Sequence, residues 1–173
     1  MPRDYLAAKV LEGRKKFLSE FPEYATPEAQ EAVPDPADES TFMRSCLDLS
    51  ERTRHAAVYR LHKDLLRLRR EDPVLARQDR MALDGAVLGT FAFVLRYSGP
   101  NDDDRLLVVN LGADLNLIPA PEPLLAPVTD GSWVLRWSSD QPRYGGPGII
   151  SPLSGDGWRI PAATATLFRA EKP

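Results

Sequence analysis

Apolar side chains recur every three or four positions in two stretches of this chain, which is the spacing of an amphipathic helix. In the first stretch, residues 4–21, the side chains of Leu6, Val10 and Phe17 fall on one stripe. Pro22 follows directly and cannot continue a helix, because its ring fixes φ and removes a backbone donor. The pattern predicts a first helix over residues 4–21.

A second helix is predicted from Ser50 to Asp72. Ser50 is a favourable N-cap, and Pro73 pushes the residue before it out of the helical region. The apolar stripe of this helix consists of Val58, Leu61, Leu65 and Leu68. Burying such side chains contributes roughly 1.5–3 kcal/mol each. We therefore expect the stripe to face the rest of the fold or a neighbouring molecule.

The stretch between the two predicted helices, residues 22–49, shows no clear periodicity. It is rich in proline, which forbids regular helix and removes backbone donors. An ordered loop of this length is uncommon inside a compact domain. The stretch therefore indicates either a functional loop or a surface whose partner is missing.

The character of the sequence changes to β after Leu75. Short runs rich in β-branched and aromatic residues follow one another with Pro and Gly between them: AVLGTFAFVLRYS, RLLVVNLG, WVLRWSS, GWRIP and ATATLFRA. The connector GPNDDD between the first two runs is typical of a hairpin turn. The sequence predicts an α+β fold, with a helical arm over residues 1–75 and an antiparallel β-sandwich or partial barrel over residues 76–173.

Composition excludes several classes of protein. Hydrophobic residues make up 43% of the 173 residues and charged residues 27%, which excludes wholesale disorder. The net charge of −3 gives no electrostatic case for a nucleic-acid partner. No apolar run approaches the roughly 20 residues that cross a bilayer, and no signal-peptide pattern follows Met1. We therefore expect a cytoplasmic protein with neither a nucleic-acid nor a membrane partner.

Few residues offer reactive chemistry. Cys46 is the one cysteine, so disulfides within the chain and multi-cysteine zinc sites are excluded. A Cys–His pair with His55 stays open, although a loop thiol and surface histidines (His55 and His62) are the favoured interpretation. The acidic run 101–104 has calcium-binding oxygens but lacks the Gly and distal Glu of an EF-hand loop, so a solvated turn is favoured. No catalytic residue, metal site or cofactor is assigned.

The aromatic residues near the end of the chain carry one binding hypothesis. Trp133 and Trp137 are four apart on a predicted strand and should share a face, with Tyr144 and Trp158 in neighbouring segments. These four rings are candidates for stacking on the sugar rings of an α-glucan. A β-sandwich also needs large aromatic side chains in its core, and the core interpretation is favoured because tryptophan is highly buried on average.

Several motifs in series resemble one family. They are GRKKFLSEF, VPDPADESTFMRSCLDL, HAAVYRLHKDLLRLRREDPVL, LLVVNLG, WVLRWSSDQPRYGGPG and GWRIPAATATLF. In this order they resemble the maltooligosyltrehalose trehalohydrolases of the α-amylase superfamily (glycoside hydrolase family 13), from the end of the catalytic barrel through the C-terminal β domain. The resemblance spans Tyr5 to Phe168. Cys46 and Leu49 depart from the pattern, where the family tends to have a basic residue and a tryptophan.

The resemblance implies a function without catalysis in this chain. The family's nucleophile, general acid and third acid lie on earlier barrel strands, so the chain alone is expected to be no enzyme and to support a barrel. The implied partners are that missing barrel polypeptide or a second copy bound through the helical arm. A stand-alone carbohydrate-binding or protein-interaction module is the alternative. Met1 directly before the first predicted helix is interpreted as a separate reading frame, a split gene or a trimmed chain.

Overall fold

The structure, a computed structural model, describes residues 3–128, 131–154 and 157–172. It divides into two compact units, of which the first ends at Glu51 and the second begins at Arg52. None of the helices in these described ranges is long and apolar enough to cross a membrane.

The first unit contains one long helix, α1 (Arg3–Leu18), and two short ones, α2 (Pro27–Glu31) and α3 (Glu39–Ser45), with a 3-10 turn at Pro22–Tyr24. The N-terminus of α2 is capped by the Thr26 hydroxyl, which accepts from the Ala29 amide at 3.3 Å. A carboxylate oxygen of Asp38 accepts from the Ser40 amide at 2.7 Å before α3. The stretch interpreted as a loop therefore contains two capped helices, which are too short to show a hydrophobic period.

The second helix starts differently from its prediction. A short helix, α4 (Glu51–Arg54), follows Ser50, and the chain leaves the helical region at His55, where φ is −110° and ψ is 41°. The long helix α5 then spans Ala56–Glu71. It ends as expected before Pro73, with Asp72 in an extended conformation and its amide bonded to the Leu68 carbonyl at 3.0 Å.

The β domain consists of a five-stranded and a three-stranded antiparallel sheet. In the large sheet the strands lie in the order β1 (Leu83–Gly89), β2 (Ala92–Tyr97), β3 (Arg105–Asn110), β8 (Thr164–Glu171) and β5 (Ser132–Ser138). In the small sheet the order is β4 (Leu115–Leu117), β7 (Gly157–Ile160) and β6 (Leu153–Ser154). The predicted α+β class with an antiparallel β domain is confirmed.

One predicted strand proves to be two. The run AVLGTFAFVLRYS contains the end of β1, a turn at residues 90–91 and the whole of β2, and β1 pairs with β2 as a hairpin. A run of apolar residues hides the turn because Phe91, in the turn, is itself apolar and 65% exposed. The hairpin predicted at GPNDDD is present, since β2 pairs with β3 from Ala92 opposite Asn110 to Tyr97 opposite Arg105.

The hydrophobic core lies between the two sheets. The inner face of the large sheet supplies Val94, Leu106, Val108 and Phe168, all with no measurable exposure, and the small sheet supplies Trp158 and Ile160. Trp158 meets Phe168 edge-to-face with ring centroids 5.3 Å apart. This packing gives the β domain a core of its own.

Helix α5 belongs to the same compact unit as the β domain. The contact boundary therefore lies after residue 51, whereas the predicted division into an arm and a sandwich lies at residue 75. The difference arises because the C-terminal half of α5 contacts the outer face of the large sheet.

Candidate functional site at the junction of helix and sheet

The outer face of the large sheet is apolar where it faces α5. Leu107 on β3 lies opposite Leu167 on β8, and their side chains point away from the inner core because their neighbours Leu106 and Phe168 point into it. Leu65 and Leu68 of α5 line a cavity of about 470 Å³ with this pair and with Trp137. The C-terminal half of the predicted stripe thus faces the sheet, whereas Val58 is 51% exposed.

A β-bulge places Trp137 on this outer face. Leu135 pairs with Phe168, but Trp137 pairs with Leu167, so Arg136 is the extra residue of the bulge. Because side chains alternate along a strand, this one-residue shift moves Trp137 to the face opposite Trp133. The prediction that the two tryptophans share a face is wrong for this reason.

The RYGG segment forms a tight turn that holds the helix. Residues 142–144 form a 3-10 turn that ends at Gly145, whose φ of +87° favours glycine. A Cβ on Gly146 would lie 2.4 Å from the backbone of Asp140, so only glycine fits there. The turn presents Tyr144 to the helix, and its half-buried hydroxyl donates to the Asp64 carboxylate of α5 at 2.8 Å.

Further polar contacts join the same turn to α5. Arg60 donates to the backbone oxygen of Arg143 at 2.8 Å, and Arg143 forms an ion pair with Asp64 at 3.3 Å. Trp137 donates from Nε1 to the Tyr144 hydroxyl at 3.3 Å. Asp64, Tyr144 and Trp137 therefore form a chain of hydrogen bonds from helix to sheet.

The pKa values of Asp64 and Tyr144, which are joined by a hydrogen bond, are shifted in opposite directions. The hydrogen bond from Tyr144 lowers the pKa of Asp64 below its ordinary value of 3.8, and the nearby cations Arg143, Arg67 and Lys63 act in the same direction. Burial raises the pKa of Tyr144 above 10.0, and its bond to the Asp64 carboxylate raises it further. At neutral pH the pair is a carboxylate accepting from a neutral phenol.

A buried arginine binds the residue that follows the C-terminal end of α5. Arg105 on β3 is 2% exposed and donates from Nε to the Asp72 carboxylate at 2.7 Å. It also donates to Asp103 at 2.8 Å, and Asp103 accepts from Arg169 at 2.7 Å. Asp72 in turn accepts from the amide of Val74 at 3.0 Å just after the helix. The end of α5 is thereby ion-paired to β3, and Asp103 links Arg105 to Arg169 on β8.

Charge pairing dominates the ionisation of this second cluster. The hydrogen bond from Arg105 lowers the pKa of Asp103, against the opposing effect of its partial burial. Burial disfavours the charged form of Arg105, but its bonds to Asp103 and Asp72 outweigh that effect and raise its pKa. Asp103 and Arg105 therefore remain charged at neutral pH. The pattern of apolar residues in the sequence does not indicate this cluster. It indicates only that Asp72 ends a helix and that Arg105 lies on a strand.

The four predicted sugar-stacking residues lie on two different faces. Trp133 and Trp158 are in the inner core, 7% and 4% exposed, and Trp133 donates to the Leu125 carbonyl at 2.9 Å. Trp137, 8% exposed, and Tyr144 lie at the junction with α5, with ring centroids 6.3 Å apart. The structure therefore brings together two pairs of rings and no single platform of four.

Two of the remaining candidate groups contact their own helix. Cys46, in the first unit, is exposed and its Sγ donates to the Phe42 carbonyl at 3.4 Å. In the second unit, Nδ1 of His62 lies 2.9 Å from the Val58 carbonyl oxygen. His55 lies at the break between α4 and α5, where its side chain makes no capping hydrogen bond.

The acidic run 101–104 is a structural turn. Asp103 binds Arg105 and Arg169, Asp104 forms an ion pair with Arg96 at 2.9 Å, and Asp102 pairs with Lys172 at 2.8 Å. Within the described ranges, no group of three or more His, Cys, Asp or Glu side chains is arranged to hold a metal ion.

The fold and the junction together define an antiparallel β domain that carries a helix fixed to its outer face by ion pairs. Residues 81–158 match a family described as a domain of unknown function, DUF3459. The matched segment covers the first strands of the β domain through Trp158.

Sequence relatives of the chain share one printed name, malto-oligosyltrehalose trehalohydrolase. The protein of Deinococcus radiodurans is 41% identical over 115 residues, which cover 65% of this chain and 18% of the relative. The protein of Mycobacterium tuberculosis (strain CDC 1551 / Oshkosh) is 29% identical over 177 residues, 99% of this chain and 25% of the relative. That of Arthrobacter ramosus is 49% identical over 63 residues, 35% of this chain and 11% of the relative.

The predicted resemblance to the C-terminal portion of the maltooligosyltrehalose trehalohydrolases is confirmed. The chain spans a quarter or less of the length of these relatives. No solved structure matches it significantly.

Proposed function

We propose that this chain is a non-catalytic portion of an α-glucan hydrolase that releases trehalose, and that it supports a catalytic barrel. The observation that carries the proposal is the match over 99% of the chain to a quarter of a trehalohydrolase. Glycoside hydrolysis needs two carboxyl groups flanking the scissile bond. Asp64, Asp72 and Asp103 are held in ion pairs instead.

The supporting role rests on how α5 is presented. Hydrogen bonds and ion pairs in the middle of α5 and at its C-terminal end attach the helix to the β domain, while Tyr59 and Leu66 remain 46% and 57% exposed on it. A rigidly held helix with an apolar outer surface suits packing against a second body. The partner of this surface is proposed to be the barrel of a trehalohydrolase.

The first test is the activity of the chain by itself. We expect no trehalose when the purified protein is incubated with maltooligosyltrehalose, because Asp64, Asp72 and Asp103 at the junction are engaged in ion pairs with arginines. Release of free trehalose by the chain alone would overturn the proposal. A Cys46→Ser variant is the control for thiol chemistry, and it should behave as the parent does.

The second test measures whether this chain can support the catalytic barrel of a relative. Residues 1–173 would replace the matching segment in the Mycobacterium tuberculosis relative, which aligns with 99% of the chain, and trehalose release by the chimera would be compared with that of the relative. We expect an active chimera. A matched chimera with Tyr144→Phe and Asp64→Asn, which lacks the link from helix to sheet, should lose thermal stability of its activity. A folded but inactive first chimera would contradict the proposal.

A second candidate function is a protein-interaction module that associates with its own copies. The exposed apolar side chains of the first unit favour it, since Leu6, Phe17 and Phe42 are 62%, 58% and 67% exposed. Together with Val58, which is 51% exposed on α5, they would bury apolar area in a dimer. Sedimentation of the purified chain separates the candidates: a monomer at all concentrations contradicts self-association.

A further inference from the structure

Next to the apolar cavity under α5 lies a second, polar cavity of about 320 Å³. It is enclosed by the end of α5, the bulge of β5 and the ends of β3 and β8. Its lining contains five arginines: Arg67, Arg105, Arg136, Arg143 and Arg169. Four carboxylates also line it: Asp64, Glu71, Asp72 and Asp103. The lining therefore carries one more positive than negative charge.

Four of these arginines share three of the carboxylates. Asp64 pairs with Arg67 at 3.0 Å and with Arg143 at 3.3 Å. Asp103 pairs with both Arg105 and Arg169. The carboxylates of Asp64 and Asp103 are thus each shared by two cations, and the positive side of these clusters is not fully neutralised.

Arg136 is the fifth arginine of the lining and does not share any of these carboxylates. Within the described ranges its guanidinium has no ion pair and no side-chain hydrogen bond, and Glu71, the fourth acid of the cavity, likewise has no ion pair. As the extra residue of the bulge, Arg136 lines the same cavity as its neighbour Trp137. Bulges commonly redirect side chains next to binding sites.

We propose that this cavity binds a small oxyanion, a phosphate or carboxylate group, and that Arg136 contacts it directly. A guanidinium presents a planar pair of N–H donors that matches two oxygens of such a group. The arginines of the lining favour negative charge in the cavity, since they contribute to lowering the pKa of both Asp64 and Asp103. Trp137 forms one wall of the cavity, and Arg136 is exposed, so its guanidinium can be reached by an anion from solvent.

The oxyanion can come from two sources. One is a free phosphate or phosphorylated metabolite, and the other is an acidic side chain of a protein partner. Both offer two oxygens in the geometry that a guanidinium binds. The inference stands on the cavity alone and does not depend on the proposed function in an α-glucan hydrolase.

The test is titration of the full chain with two probes, inorganic phosphate and N-acetylglutamate, followed by amide chemical shifts. We expect saturable shifts centred on residues 135–137 with at least one probe at millimolar concentration. Binding of phosphate alone indicates a free oxyanion, whereas binding of N-acetylglutamate alone or of both indicates that a carboxylate group is accepted. Absence of saturable shifts with either probe up to tens of millimolar would overturn the proposal.

Matched variants decide whether Arg136 is responsible. Arg136→Gln should weaken binding by roughly tenfold or more, and Arg136→Lys, which keeps the charge without the planar pair of donors, should weaken it less. Arg159→Gln removes an exposed arginine from the other sheet and should leave binding unchanged. Equal binding by Arg136→Gln and the parent contradicts the proposal. Unchanged denaturation midpoints of the variants would establish that they remain folded.

Discussion

The two compact units differ sharply in what holds them together. In the second unit the β domain encloses a core of fully buried side chains such as Phe168 and Leu106, and ion pairs attach α5 to its outer face. In the first unit, Val33 is the one buried apolar side chain among residues 5–51. Caps and local hydrogen bonds define its helices, but they bury little apolar surface.

The two units therefore differ in the source of their stability. Apolar burial is the dominant favourable contribution to folding, and the β domain supplies it internally. The first unit leaves Leu47 89% exposed and Phe42 67% exposed. Such a segment is stabilised when a second surface covers it, which agrees with its proposed place beside a catalytic barrel.

The largest expected effect comes from truncating the core. Phe168→Ala should lower the free energy of unfolding by about 3–5 kcal/mol, because the ring is fully buried against Trp158. The matched change in the first unit, Phe42→Ala, removes an exposed ring and should cost no more than about 0.5 kcal/mol. Urea unfolding followed by tryptophan fluorescence measures both. Similar losses in the two variants would erase the contrast between the units.

The next effect tests the buried arginine. Arg105→Met should lower the free energy of unfolding by roughly 3 kcal/mol, because it leaves the carboxylates of Asp72 and Asp103 without their main partner. The control is Arg159→Met on the small sheet, where the side chain is exposed and little change is expected. Thermal unfolding by circular dichroism provides the comparison. A stabilised Arg105→Met variant would show that these ion pairs do not hold α5.

A smaller effect is expected at the RYGG turn. Tyr144→Phe removes the hydrogen bond to Asp64 and should cost about 1–2 kcal/mol, since the carboxylate loses a donor while its surroundings stay in place. Tyr59→Phe on the same helix is the control, because Tyr59 is 46% exposed. Unfolding in urea gives both values. If the two variants lose equal stability, the hydroxyl of Tyr144 does not link helix and sheet.

The smallest effect is the dependence of stability on pH. Asp64 and Asp103 have lowered pKa values, so their contribution is present above the unfolded pKa near 3.8 and is lost as pH falls through the folded pKa. Tyr144 has a raised pKa, so stability is retained below about 10 and declines as pH rises from there toward the folded pKa. Denaturation midpoints from pH 2 to 11 measure both limbs. Asp103→Asn should flatten the acid limb, and an unchanged limb would contradict this origin.

Periodicity and turn chemistry made α1, the end of α5 and most strands predictable. The stop of α5 before Pro73 and the hairpin of β2 with β3 follow from local rules that act within a few residues. The turn between β1 and β2 was missed because Phe91 continues the apolar run. The break at His55 also has no marker in the sequence pattern.

The junction could not be predicted, because it depends on contacts between distant residues. Tyr144 meets Asp64 and Arg105 meets Asp72 only after α5 has docked on the sheet. The bulge at Arg136 is a further example, since a single extra residue reverses the face of Trp137 without changing the composition of the strand. The resemblance of the motifs predicted the family of the sequence relatives, but it did not predict these contacts.

Amide hydrogen exchange of the full chain tests most directly whether α5 and the β domain form one cooperative unit. We expect amides in the middle of α5 to be protected nearly as strongly as those of β3 and β8, and amides of α1 and α3 to exchange much faster. Tyr144→Phe should reduce protection in α5 more than in β3. If α5 exchanges as fast as α1 while β3 stays protected, the helix is not held by the sheet and the account of the junction is wrong.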